Sequence, residues 1–110
     1  MIDWDRVATL REEVGSEDFE EVVELFLQEV DEEMGALAAQ PGGKTLAEKL
    51  HFLKGSAMSL GFRDFSNLCQ TGEAALSKDP SARVDVQALH TSYASSRATF
   101  LSDLPDRFST

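Results

Sequence analysis

The chain has 110 residues, 42% of them hydrophobic and 27% charged. That suits one globular domain with one core over residues 1–110 and excludes a disordered chain. Ten Lys and Arg stand against twenty Asp and Glu, a formal charge of −10. A field of that sign repels nucleic acid and anionic membranes, and it favours a partner with a basic or apolar docking surface. The single cysteine, Cys69, excludes an internal disulfide and agrees with a reducing compartment. No leader-like start and no apolar run near the ~20 residues of a membrane span is present, so the expected location is the cytoplasm.

Apolar residues recur at helical spacing, and alternation of the strand type is hard to find. A short first helix fits Asp3–Val14, with Trp4, Val7 and Leu10 or Arg11 on one face and Gly15 ending it. Ser16 then offers a cap for a long second helix to about Ala39. Its stripe is Phe19, Val22, Val23, Phe26, Val30, Met34 and Leu37, and its acidic first turns suit the helix dipole. Pro41-Gly42-Gly43 reads as a stop. Thr45-Leu46-Ala47-Glu48 reads as a capping box opening a third helix. The stripe there is Leu46, Leu50, Leu53, Ala57 and Leu60, closed by a left-handed Gly61. Asp64 is the expected cap of a fourth helix to about Leu76, with Phe65, Leu68, Cys69, Gly72 and Ala75 or Leu76 inside. Residues 77–81 form a loop. A fifth helix is expected over Asp85–Asp103, with Val86, Leu89, Tyr93, Phe100 and also Leu104 inward, ended by Pro105. The predicted fold class is all-α: an antiparallel four-helix bundle with a short additional N-terminal helix covering one end.

The third helix carries the chemistry. His51 is one of two histidines in the chain. Leu50 and Leu53 face the core, so His51 is rotated about 100° from Leu50. Lys54 and Gly55 follow at the spacing that places them on the outward side with it. Helical side chains lean toward the N-terminus, so a side chain at 55 would lean over the imidazole. Glycine there leaves the ring open, at roughly 1 kcal/mol relative to alanine. A neutral imidazole is a nucleophile near neutral pH. A phosphoryl group on it would need donors, and Lys54 supplies three and a charge. Phosphoryl transfer asks the protein mainly for positioning and charge stabilisation.

The run His51-Phe52-Leu53-Lys54-Gly55-Ser56-Ala57 with Leu60-Gly61-Phe62 resembles the signature of histidine-containing phosphotransfer (HPt) domains. The acidic second helix, the bundle layout and Leu68-Cys69 fit too, so the resemblance covers nearly the whole chain. It implies a four-helix bundle that shuttles a phosphoryl group between aspartates of response-regulator receiver domains, with a hybrid histidine kinase as a further partner. It makes His51 the phosphorylated nucleophile, reacting through Nε2, Lys54 the stabiliser of phosphoryl charge, Gly55 the residue giving steric access, and Ser56 a small packing position. Some members hold the imidazole with a glutamine on the neighbouring helix. Here the candidates are Gln70 and Glu73, and Glu73 falls at the matching position.

The remaining residues point elsewhere. His90 has no glycine or cation at helical spacing and reads as structural, and Cys69 reads as a buried inert thiol. No metal-ligand spacing, calcium loop or glycine-rich phosphate loop occurs, so neither metal nor cofactor is expected, nor ATP-dependent kinase activity. Phe52, Met58, Leu25 and Leu27 lie beside the core stripes and are candidates for docking a receiver helix. Nothing suggests a coiled-coil seam, and a monomer is expected. Three rival readings remain: an acidic bundle that binds and sequesters a receiver or other signalling partner, a bundle phosphorylated in trans by a chemotaxis-type histidine kinase, and, weakest, a plain structural bundle.

Overall fold

The computed structural model describes residues 2–37 and 43–108, and five helices run through them. They are α1 (Trp4–Val14), α2 (Phe19–Leu37), α3 (Gly43–Ser59), α4 (Arg63–Lys78) and α5 (Val86–Phe108). Among the described residues there is no strand, only an isolated bridge between Ile2 and Phe62. Helices α2 to α5 form the antiparallel four-helix bundle, with α3 between α2 and α4, and α4 beside α5. Helix α1 packs on α2 and α3 at one end. None of these helices is long and apolar enough to cross a membrane.

The buried stripes of the helices merge into one core. Phe62, Phe65 and Phe100 have no exposed surface. Each contributes about 1.5–3 kcal/mol by burial. Phe62 meets Phe100 edge-on at 5.3 Å, and Tyr93 links Phe62 to Phe65, its ring lying 5.2 Å from that of Phe65 and 6.1 Å from that of Phe62. Trp4 of α1 stacks on Phe100 at 5.7 Å, which seats the short helix on the bundle end.

The α3–α4 connection positions everything that follows. The Phe62 amide donates to the Ala57 carbonyl at 2.8 Å and the Gly61 amide to that of Met58 at 3.2 Å, the paired bonds of a Schellman ending. Gly61 takes φ +75°. A Cβ there would lie 2.6 Å from the Asp3 carbonyl oxygen, so only glycine fits both the dihedral and the space. The Asp3 amide closes the same corner by donating to the Gly61 carbonyl at 2.7 Å.

Several boundaries differ from the sequence expectation. Residues 16–18 form a turn, so α2 begins at Phe19 rather than directly after Ser16. Its expected end at Ala39, and Pro41 and Gly42 of the expected stop, lie outside the described residues. Gly43 is no stop but the first residue of α3, so Thr45 is already helical and cannot be its cap. Helix α4 starts at Arg63 with Phe62 at the cap position, because the Gly61 turn delivers the chain straight into it. Asp64 therefore sits in the first turn, not at the cap. Asp85 does cap α5, accepting from the Ala88 amide at 2.9 Å.

Pro105 does not end α5, which continues to Phe108. Proline removes one helical hydrogen bond there, but tertiary contacts hold the last turn. Phe108 meets Phe19 edge-on at 5.6 Å, Arg11 lies over the Phe108 ring, and Arg107 lies over Trp4. Leu68, expected inside, is exposed, because the buried face of α4 runs through Phe65, Cys69, Gly72 and Leu76. Leu27, expected beside the stripe, is buried in it, while Leu25, Phe52 and Met58 are exposed.

Candidate functional site

His51 projects from the middle of α3 with 71% of its side chain exposed. Its neighbour across the groove is Glu73 of α4, whose Oε2 lies 2.8 Å from His51 Nδ1. The other carboxylate oxygen, Oε1, accepts from Lys54 Nζ at 2.7 Å. One carboxylate thus spans the two α3 residues singled out from the sequence. Gln70, the alternative partner for the imidazole, is exposed and lines the next groove with Gly55, Met58 and Asn67.

Gly72 is why Glu73 reaches. A Cβ at position 72 would lie 2.9 Å from Leu50 Cδ1, so glycine lets the α4 backbone settle against α3. Leu50 and Gly72 precede His51 and Glu73 in the chain, so this close approach brings the two polar side chains together just outside the core. The turn at Gly61 fixes the register: His51 lies ten residues before it and Glu73 twelve after. That near-symmetry about one glycine was the available signal for the pair. The double role of Glu73, on Lys54 as well as His51, had no such signal.

The contact decides the tautomer of the imidazole. An ionised carboxylate can only accept, so Nδ1 carries the hydrogen and donates it. Nε2, on the far side of the ring, keeps its lone pair and faces solvent. The Lys54 ammonium, donating to Glu73, holds that carboxyl below the ordinary carboxylate range; partial burial opposes this, and the bond from His51 assists it. Glu73 is therefore ionised at neutral pH. Lys54 Nζ gives one of its three hydrogens to Glu73, and two donors remain.

Gly55 is exposed, and a Cβ built on it meets no atom within 4 Å. The fold does not need glycine there. Ser56, one residue on, is buried beside the core, as a small packing residue should be. His90 is half-buried on α5. Cys69 is fully buried, and burial pushes its thiol up to about 12, which leaves it uncharged and unreactive. Among the described residues, no group of three or more His, Cys, Asp or Glu side chains is placed to hold a metal ion.

No curated protein and no solved structure matches this chain. A family does: the model described as "Hpt domain" matches residues 21–108, from the first turn of α2 to the end of α5, with His51, Lys54, Gly55 and Glu73 inside the match. Hpt domains interact with response-regulator receivers in phosphorelays. With most of its length matched, the chain belongs to the Hpt domain family and has a phosphotransfer-related role in two-component signalling.

Proposed function

We propose that this chain is a phosphocarrier that relays a phosphoryl group between the aspartates of receiver domains, through a phosphorylated His51. The observation that carries the reading is the bridge made by Glu73. It turns Nδ1 inward as a donor and leaves Nε2 as an unencumbered nucleophile on an exposed helix face. Nε2 attacks the phosphorus of a phospho-aspartate on one receiver, and the aspartate of a second receiver later removes the group. Lys54 offers its remaining donors to the phosphoryl oxygens, and Gly55 leaves the approach open to a bulky partner.

The chain acts as a single domain and a monomer in the cytoplasm, with a receiver or a hybrid histidine kinase as donor. Phe52 and Met58, both exposed on α3, lie within the area a receiver would cover. The module binds no nucleotide, and its chemistry is completed by the partner's own aspartate site.

The test is transfer from a panel of receivers, each charged on its aspartate, to the wild-type chain and to His51→Ala. Label on the wild type that survives alkali but not acid, and is lost in His51→Ala, is the expected result. Receivers that bind but leave the chain unlabelled would instead identify a sequestering bundle. Labelling by a purified kinase core alone would identify a substrate of a kinase acting in trans.

A further inference from the structure

Transfer requires a receiver to reach His51 Nε2, and the imidazole is open on the side of Gly55. The surface of the receiver therefore lies across Gly55. Gly55 also borders an open groove of about 540 Å³. From Gly55 and Gln70 the groove runs past Met58 to Arg63, and it ends against Asp3 and Arg6. The family match covers residues 21–108, so Arg6 belongs to a helix, α1, that lies outside it. That helix is nevertheless firmly seated. The Asp3 amide donates to the Gly61 carbonyl at 2.7 Å, and Trp4 stacks on Phe100 at 5.7 Å. Arg6 is thus held at a set place beside the groove.

The charge of −10 is spread unevenly around His51. Helix α2, on one side of α3, carries seven acidic residues and no basic one. The groove lies on the other side of α3, and its charged residues are Arg6, Arg63 and Asp3. Both arginines are loosely engaged. Arg63 reaches Asp3 at 3.5 Å, and Arg6 reaches Glu13 at 3.4 Å. Exposed pairs of that length contribute little, so a carboxylate brought by a partner can replace either one. Met58 stands exposed between these cations and the imidazole and offers an adaptable apolar contact.

We propose that α1 selects the partner: Arg6, together with Arg63, binds acidic side chains of the receiver that covers His51, while Met58 takes an apolar one. The proposal rests on the phosphocarrier reading and specifies the chemistry of its partner. The acidic rim of the receiver lies over α1 and the start of α4, because the carboxylates of α2 repel it on the other side. A receiver with a basic rim at that place meets two like charges and docks poorly.

Docking can be read without transfer. The isotope-labelled chain is titrated with each receiver of the panel, uncharged on its aspartate, and its amide signals are followed by NMR. Binding should shift Arg6 and Arg63 together with Gly55 and Met58. Arg6→Glu and Arg63→Glu should each weaken the receiver about three- to tenfold at low salt, and the difference should shrink as salt is raised. Arg6→Gln, which removes the charge without reversing it, should fall between. Arg63, in the first turn of α4, keeps the test open if Arg6→Glu loosens α1. Arg83, exposed beside Leu68 and Ala75 on the opposite side of α4, is the control. Arg83→Glu changes the net charge equally and should weaken binding by no more than about twofold. Binding that leaves Arg6 unshifted, equal losses in all three charge reversals, or a panel in which no receiver binds would overturn the proposal. So would the same amides shifting with the concentration of the chain alone, which would make the groove a contact between copies. The carrier reading fails separately, by receivers that fill the groove and never label His51.

Discussion

An alanine methyl at position 55 would meet no atom within 4 Å, and alanine is roughly 1 kcal/mol better than glycine in a helix interior. Gly55→Ala should therefore stabilise the bundle by about 0.5–1 kcal/mol, measured by urea unfolding, while slowing transfer from a charged receiver. A variant that is more stable and transfers as fast as the wild type would remove steric access as the reason for the glycine. The position could be recognised in sequence because its spacing from His51 and Lys54 is set by the helix alone. Glu73 could not be recognised in the same way. Gln70 and Glu73 lie within one turn of each other on α4, and either could have faced His51. The choice depends on the rotation of α4 about its axis, and that is set where Gly72 meets Leu50.

Helix ends were harder to place than helix faces. The stripes on α3 and α5 follow a period of the local chain, so the core positions Leu46, Leu50, Leu53, Leu60, Leu89, Tyr93 and Phe100 are buried as expected. The end of α5 is held instead by residues remote in sequence. Phe19, Arg11 and Trp4 engage Phe108 and Arg107, and these contacts outweigh the local preference of Pro105 to stop the helix. The α3–α4 corner is the reverse case, a glycine whose role was plain before the structure. Its intolerance is greater than the turn alone requires, since φ is +75° and the Asp3 carbonyl fills the space of a side chain. Gly61→Ala should cost at least ~2 kcal/mol, from the left-handed dihedral together with the backbone clash. Thermal unfolding followed by circular dichroism should show a midpoint lower by roughly 10 °C. An unchanged midpoint would mean that the corner is looser than the contacts imply.

Across the bundle, α2 and α5 meet through a polar contact as well as through the Phe19–Phe108 ring pair. Tyr93 donates to Asp31 at 2.6 Å, and Arg97 grips both oxygens of the same carboxylate. Burial, and then the Asp31 carboxylate, push the Tyr93 phenol above its usual value of about 10. The sign follows from linkage. Below pH ~10 the phenol is protonated in both folded and unfolded chains, and the contact contributes fully. Above it, the unfolded chain gains by ionising while the folded one cannot, so stability falls as pH rises. Tyr93 is the only tyrosine, so its phenolate absorbance can be followed without interference. That absorbance should appear together with the loss of helical signal in an alkaline titration. Phenolate formation with the helices intact would mean that the phenol is freer than its burial indicates.

The number of helices, their inward faces and the His51 segment were all present in the order of residues. Each depends on spacing along one helix, and that spacing is set by backbone geometry over three or four residues. The partner of the imidazole, the tautomer it imposes, the engagement of Lys54 and the last turn of α5 arise only when helices meet. Those contacts depend on how each helix is rotated and how closely its neighbour approaches. Small side chains such as Gly72, and aromatic residues such as Phe108 packed against distant partners, set these quantities, and no pattern along a single helix contains them.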